Sequence, residues 1–297
     1  MSTNALSGEH HLYRIGGLHM MVSGHRLGAT LDQMPGMAPF VDHDTAQPHL
    51  LIQEDEHIQL QQAREVYRLE PDGDKDNEWC SMLVDKDDNL AYRFSDGSIV
   101  LHDRSDDGAA HLQWNGDIDQ LRYMLWLAYA HTALTFHAVP VHSSVVVCQG
   151  KAVLCLGESG TGKSTHTRLW INHIDGCHLL NDDSPIVRVE PDGVWAYGSP
   201  WSGKTPCFRQ ERVPIAAFLR LAQRPENSIR RLGIIESFAA LHPSCPPTLA
   251  HDERCTDRIV EFIDGIITRV PVYRMGCLPD ADAVRMSHDT IFNDLCK

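Results

Sequence analysis

Residues 157–165 read GESGTGKST and follow the apolar run Val153-Leu154-Cys155-Leu156. Gly157, Gly162, Lys163 and Ser164 occupy the fixed places of G-x-x-x-x-G-K-[ST], the spacing of a phosphate-binding loop (P-loop, or Walker A). Each residue type has a chemical reason. Glycines let backbone N–H groups wrap round phosphate oxygens, and a helix N-terminus behind them adds its positive dipole end. The lysine reaches the terminal phosphates and the serine hydroxyl takes a Mg²⁺. A glycine-rich turn that merely closed a strand-helix joint would need neither Lys163 nor Ser164. Nucleotide contacts are therefore expected at Gly157, Glu158, Ser159, Gly160, Thr161, Gly162, Lys163, Ser164 and Thr165.

Outward from the loop, a strand is expected from about Val139 to Cys148, then a Gln149-Gly150 turn and a strand from Ala152 to Leu156. A helix should run from Gly162 to about His173, and a strand at His178 to Leu180 should end in Asn181-Asp182-Asp183. A hairpin turning at Pro191-Asp192-Gly193 follows, and the last third mixes short helices and strands. Further upstream, the stretch from Val66 to Asp103 holds four short runs rich in Val, Tyr, Leu, Phe and Ile. Pro71-Asp72-Gly73, Lys86-Asp87-Asp88-Asn89 and Ser95-Asp96-Gly97-Ser98 interrupt them, the pattern of an antiparallel meander. Between these parts, Asp117 reads as an N-cap, followed by Leu121, Met124, Leu125, Ala128 and Thr132 at helical spacing. The expected organisation is an α+β or α/β chain: an antiparallel β-rich domain over residues 1–115, a connecting helix over 116–136, and a P-loop mixed-sheet domain over 137–297.

Composition narrows the function classes. Across 297 residues there are 26 Lys+Arg against 40 Asp+Glu, a formal net charge of −14, which argues against nucleic acid or an anionic membrane surface as partner. The nine cysteines show no C-x-x-C spacing and several sit in apolar runs, as buried thiols of a reduced, cytoplasmic protein would. The start of the chain lacks the basic, apolar, small-residue order of a signal peptide, and no apolar run approaches the ~20 residues of a membrane helix. The eighteen histidines form no H-E-x-x-H and no metal site of their own is expected.

Asp182-Asp183 closes the apolar run after the loop helix. One carboxylate at such a strand end can hold Mg²⁺ or its waters while a second takes the proton of an attacking hydroxyl; Asn-Asp-Asp-Ser-Pro is also good turn chemistry. HSSVVVCQGKAVLCLGESGTGKS, residues 142–164, followed by LLNDD, residues 179–183, resembles the core of the HPr kinase/phosphorylase group and its relatives in the phosphoenolpyruvate carboxykinase superfamily, over roughly residues 138–190. The resemblance implies a histidine at the start of the hairpin, here His142, and the aspartate pair after the loop helix. It implies Asp182 as general base, Asp183 with Ser164 as metal ligands, Lys163 on the β- and γ-phosphates, and His142 beside the γ-phosphate. The glycine-rich arginine loop of the bifunctional HPr enzymes is not found, and carboxykinases proper are much longer, so neither phosphorolysis nor carboxykinase activity is implied.

Between Lys204 and Arg231 stand seven basic residues and two acidic ones. Such a local positive field suits an anionic ligand, so Lys204, Arg209 and Arg212 are candidate contacts to phosphate or substrate; a solvated charged face is the other reading. The expected function is an ATP- and Mg-dependent kinase that moves the γ-phosphoryl to a hydroxyl on a peptide, a protein serine or a metabolite. The alternatives are a nucleotide-dependent binding or sensor protein without efficient catalysis and, less favoured, a phosphoenolpyruvate carboxykinase. No residue pattern specifies an oligomeric state.

Overall fold

The computed structural model of the chain describes residues 10–44, 47–70, 79–104 and 108–295. It is a mixed α/β protein with two sheets, dividing into a unit at Met1–Thr132 and a unit at Ala133–Lys297.

The first unit contains β1 (His10–Ile15), β2 (Leu18–Ser23), α1 (His25–Leu31), β3 (Leu50–Glu54), β4 (Arg64–Leu69), β5 (Cys80–Val84), β6 (Leu90–Phe94), β7 (Ile99–Asp103), β8 (Ala109–Gln113) and all but the last two residues of α2 (Ile118–Leu134). Its sheet runs β1-β2-β3-β8-β7-β6-β5-β4. The meander β4 to β8 is antiparallel, but the expectation of an antiparallel domain needs correction. β2 pairs with β3, and β3 with β8, in parallel. Residues 24–49 separate β2 from β3, long enough for the crossover that parallel neighbours require, and the whole meander separates β3 from β8. Pro71-Asp72-Gly73 lies outside the described residues. Alternation buries one face: Leu18, Met20 and Val22 of β2 are each at most 3% exposed. Asp117 caps α2, its carboxylate accepting from the Gln120 amide at 2.8 Å.

The second unit contains β9 (Ala138–Pro140), β10 (Ser143–Cys148), β11 (Lys151–Leu156), α3 (Lys163–His173), β12 (His178–Asp183), β13 (Ile186–Glu190), β14 (Gly193–Tyr197), β15 (Arg212–Gln223), β16 (Ser228–Arg231), α4 (Ile234–Leu241), α5 (Pro247–Ala250), α6 (Glu253–Ile267), β17 (Val272–Cys277) and α7 (Ala281–Asp294). Its sheet order is β12-β10-β11-β15-β14-β13-β9, with β17 beside β15 and β16 beside β17. The pairs β11·β15 and β15·β17 are parallel and the rest antiparallel. The central strands are buried on both faces, as parallel strands covered by helices must be. Ala152, Leu154 and Leu156 of β11 pack in one core with Ile259, Phe262 and Ile266 of α6. Val153 and Cys155 turn to the opposite core, with Trp170 of α3 and Val284 and Ile291 of α7.

The single strand expected from Val139 to Cys148 is two. β9 pairs with β13 and β10 with β11 and β12, with Val141-His142 as the joint between them. Arg230-Arg231 end β16 against β17. Among the described residues no helix is long and apolar enough to cross a membrane.

Candidate functional site

Strand register brings the sequence-distant groups together. In the β10–β11 hairpin Ser143 lies opposite Leu156, so the start of β10 stands beside the loop that leaves β11. On the other edge of β10, Ser143 and Ser144 lie opposite Asp183 and Asp182. The joint before β10 thus carries His142 to the same end of the sheet as the aspartates and the glycine loop. They line one cleft of about 320 Å³: Ser159, Gly160, Gly162, Lys163, Ser164 and Thr165 from the loop and α3, His142 and Ser143 before and at the start of β10, Asp182 and Asp183 from β12, and Gly203 and Lys204 from a later loop.

The loop backbone needs its glycines: φ is +152° at Gly157, +78° at Gly160 and +103° at Gly162, a region open to glycine at little cost. Gly162 is the N-cap of α3, so the unpaired N–H groups of that helix end begin in the cleft wall. Lys163 is 9% exposed. Its Nζ donates to the carbonyls of Gly157 (2.8 Å) and Glu158 (3.1 Å) and to Nε2 of His142 (2.9 Å). Burial lowers its pKa while the negative charge of Asp183 opposes that shift. Nδ1 of His142 lies 3.2 Å from Oδ1 of Asp183. An imidazole accepting from the ammonium at Nε2 carries its proton at Nδ1, facing the carboxylate. The result is a Lys163–His142–Asp183 chain along one wall.

Asp182 is 6% exposed, and its carboxylate has no hydrogen-bond partner among the described residues. Its main-chain carbonyl accepts from the Gly203 N–H at 2.7 Å. That contact comes from the stretch GSPWSGK, residues 198–204, folded over the end of β12. Ser199 Oγ donates to the Ser184 carbonyl at 2.6 Å, and the Asn181 amide group reaches the carbonyls of Ser199 and Trp201. A Cβ at Gly203 would stand 2.8 Å from the Asp182 carbonyl oxygen.

Of the three candidate basic contacts, Lys204 lines the cleft. Arg209 and Arg212 do not. Arg212 begins β15 opposite Tyr197, a pairing that holds it at the β13–β14 hairpin, where it reaches Glu190 (2.7 Å) and Asp192 (3.3 Å) and covers the Trp195 ring. The carbonyl of Arg209 packs against Gly198, where a Cβ would stand 1.9 Å from its oxygen. Two groups that the sequence reading passed over also touch the loop. Arg220 pairs with Glu158 at 2.6 Å, and the Gln223 side chain donates to the Gly160 carbonyl at 3.2 Å. Only the parallel pairing of Leu156 with Arg220 brings them there, and no local pattern announces it.

Glycine φ values, a buried lysine, a helix N-terminus and a free carboxylate make a donor set suited to a polyanion with its metal. No family model and no curated protein matches the sequence. Among solved structures the chain is similar to the HPr(Ser) kinase/phosphatase from Coxiella burnetii, with 13% identity over 52% of this chain and 89% of that chain and a TM-score of 0.33. A superposition that loose leaves the reading of the site to its own geometry.

Proposed function

We propose that the chain is an ATP- and Mg-dependent phosphotransferase that moves the γ-phosphoryl to a hydroxyl acceptor, on a peptide or protein serine or on a small molecule. The observation that carries this reading is the convergence of Lys163, His142, Asp182 and Asp183 on one cleft at the mouth of the glycine loop. Phosphoryl transfer asks little covalent chemistry of a protein; positioning and charge neutralisation supply most of the rate.

In this reading the loop N–H groups and Lys163 hold the β- and γ-phosphates, the amine exchanging the carbonyls of Gly157 and Glu158 for phosphate oxygens. Ser164 and Asp183 would hold Mg²⁺, whose charge offsets that of the phosphates. Asp182 accepts the proton of the acceptor hydroxyl, and its lack of another partner keeps its lone pairs available. His142 keeps Lys163 and Asp183 in register, and Lys204 adds positive charge across the cleft.

Titration calorimetry with Mg-ATP and transfer from γ-labelled ATP to water and to a serine peptide library test it. Lys163→Ala is expected to abolish binding. Asp182→Asn should keep ATP affinity within about twofold and lower transfer by about 10²–10⁴-fold, the usual worth of a positioned base. Full transfer by Asp182→Asn would overturn the base assignment, and tight binding with no transfer to any acceptor would favour a nucleotide-dependent binding protein.

A further inference from the structure

A second cleft, of about 570 Å³, opens at the C-terminal ends of β15 and β17. Four arginines line it, Arg220, Arg224, Arg230 and Arg274, against one carboxylate, Glu226. That excess of positive charge stands out in a chain of net charge −14. Arg220 and Arg230 pair with Glu158 and Glu236, whereas Arg224 and Arg274 make no ion pair among the described residues. Ala222, on the same sheet face as Arg220 and Arg274, and the exposed Pro225 add apolar surface beside the guanidinium groups, whereas Leu221 and Ile229 turn to the opposite face and pack with Met275. Gly276 leaves room for one of them: a Cβ there would stand 2.8 Å from Cγ of Arg224.

Sheet order relates this cleft to the glycine loop. β12, β11, β15 and β17 all run the same way, so the aspartates, the loop and the arginine cleft lie along one edge in that order. A triphosphate seated in the loop with its γ end at Asp182 and His142 has its other end on the side of β15. Arg220 spans the two sites, lining the cleft while it holds Glu158 of the loop.

We propose that the arginine cleft is the nucleoside pocket, in which the guanidinium planes of Arg224 and Arg274 take the faces of the base beside Ala222 and Pro225, the phosphates staying in the glycine loop. The mixed lining decides between occupants. A flat aromatic ring joined to an anion uses both guanidinium planes and apolar walls, and arginine stacks on such rings as well as pairing with phosphate. An acidic peptide would call for charge alone. The volume falls within the range of small-molecule sites.

This inference rests on the nucleotide reading of the glycine loop, and two probes separate them: Mg-ATP and Mg-tripolyphosphate, the same anion without a nucleoside, titrated into the full chain. Arg274→Ala and Arg224→Ala are each expected to weaken ATP by about tenfold, the equivalent of one good stacking contact, and to leave tripolyphosphate within about twofold. Retained tripolyphosphate binding also shows that each variant is folded. Unchanged ATP affinity in both variants, or equal loss of both probes, overturns the pocket while leaving the loop reading intact. Failure of the unaltered chain to bind either probe overturns both.

Discussion

At the scale of single residues, the Lys163–His142–Asp183 chain shows how one imidazole can organise a site. Lys163 has three acceptors within 3.1 Å, two of them carbonyls that it would exchange for phosphate oxygens in the proposed function, which leaves His142 as the partner that keeps the amine in place. His142 contributes position. Replacing it by Ala should therefore spare binding and harm turnover: a KM for ATP within about threefold and a kcat lowered by at least about tenfold, the mark of an interaction that matters most in the transition state. His142→Asn, whose amide oxygen can still accept from the lysine, should recover part of the loss. A fall in affinity equal to the fall in kcat would instead place His142 among the binding groups.

At the scale of elements, the geometry of the cleft depends on how α3 is anchored, because α3 carries Lys163 and Ser164 in its first turn. Trp170, fully buried, fastens that helix to α7: its indole N–H lies 3.1 Å from Ser287 Oγ and 3.2 Å from His166 Nε2, and its ring meets those of His288 and Phe292. At the other end, Ser144 Oγ and Thr167 Oγ1, 2.8 Å apart, tie α3 to β10. Trp170→Ala removes a large, fully buried side chain, while His166 Nε2 and Ser287 Oγ keep each other at 3.2 Å, so it is expected to cost about 3–5 kcal/mol of unfolding free energy through the cavity it leaves. Urea denaturation followed by far-UV circular dichroism measures it; a cost below about 1 kcal/mol would show that α3 is held by other contacts.

At the scale of the whole molecule, the cysteines give a simple check. Eight are free among the described residues, and Cys296 lies outside them. Burial pushes the Cys80 and Cys245 thiols up to about 12 and that of Cys155 higher still, which makes them poor nucleophiles at neutral pH. A thiol reagent should count nine groups after denaturation without reductant and react slowly with the buried ones in the native protein. A shortfall after denaturation would reveal a disulfide. Much of the core around the loop was readable from letters, since the elements nearest it follow from short-range rules. Glycine at positive φ, a lysine at the first helical position and continuous apolar strands are written within a few residues of where they act. The parallel joins of β3 in the first sheet, the break at Val141-His142, the capture of Arg212 by Glu190 and the arrival of Arg220 at the loop were not readable. Each depends on which strands become neighbours, a choice made by burial and chain connectivity across tens of residues. The letters by themselves determined a glycine loop between strand and helix, with an acidic pair close behind. Tertiary structure alone decided that two expected arginines stay away and that four others gather at the far side. Register carries a side chain to its neighbours through backbone hydrogen bonds, and those pairings leave no trace in local sequence.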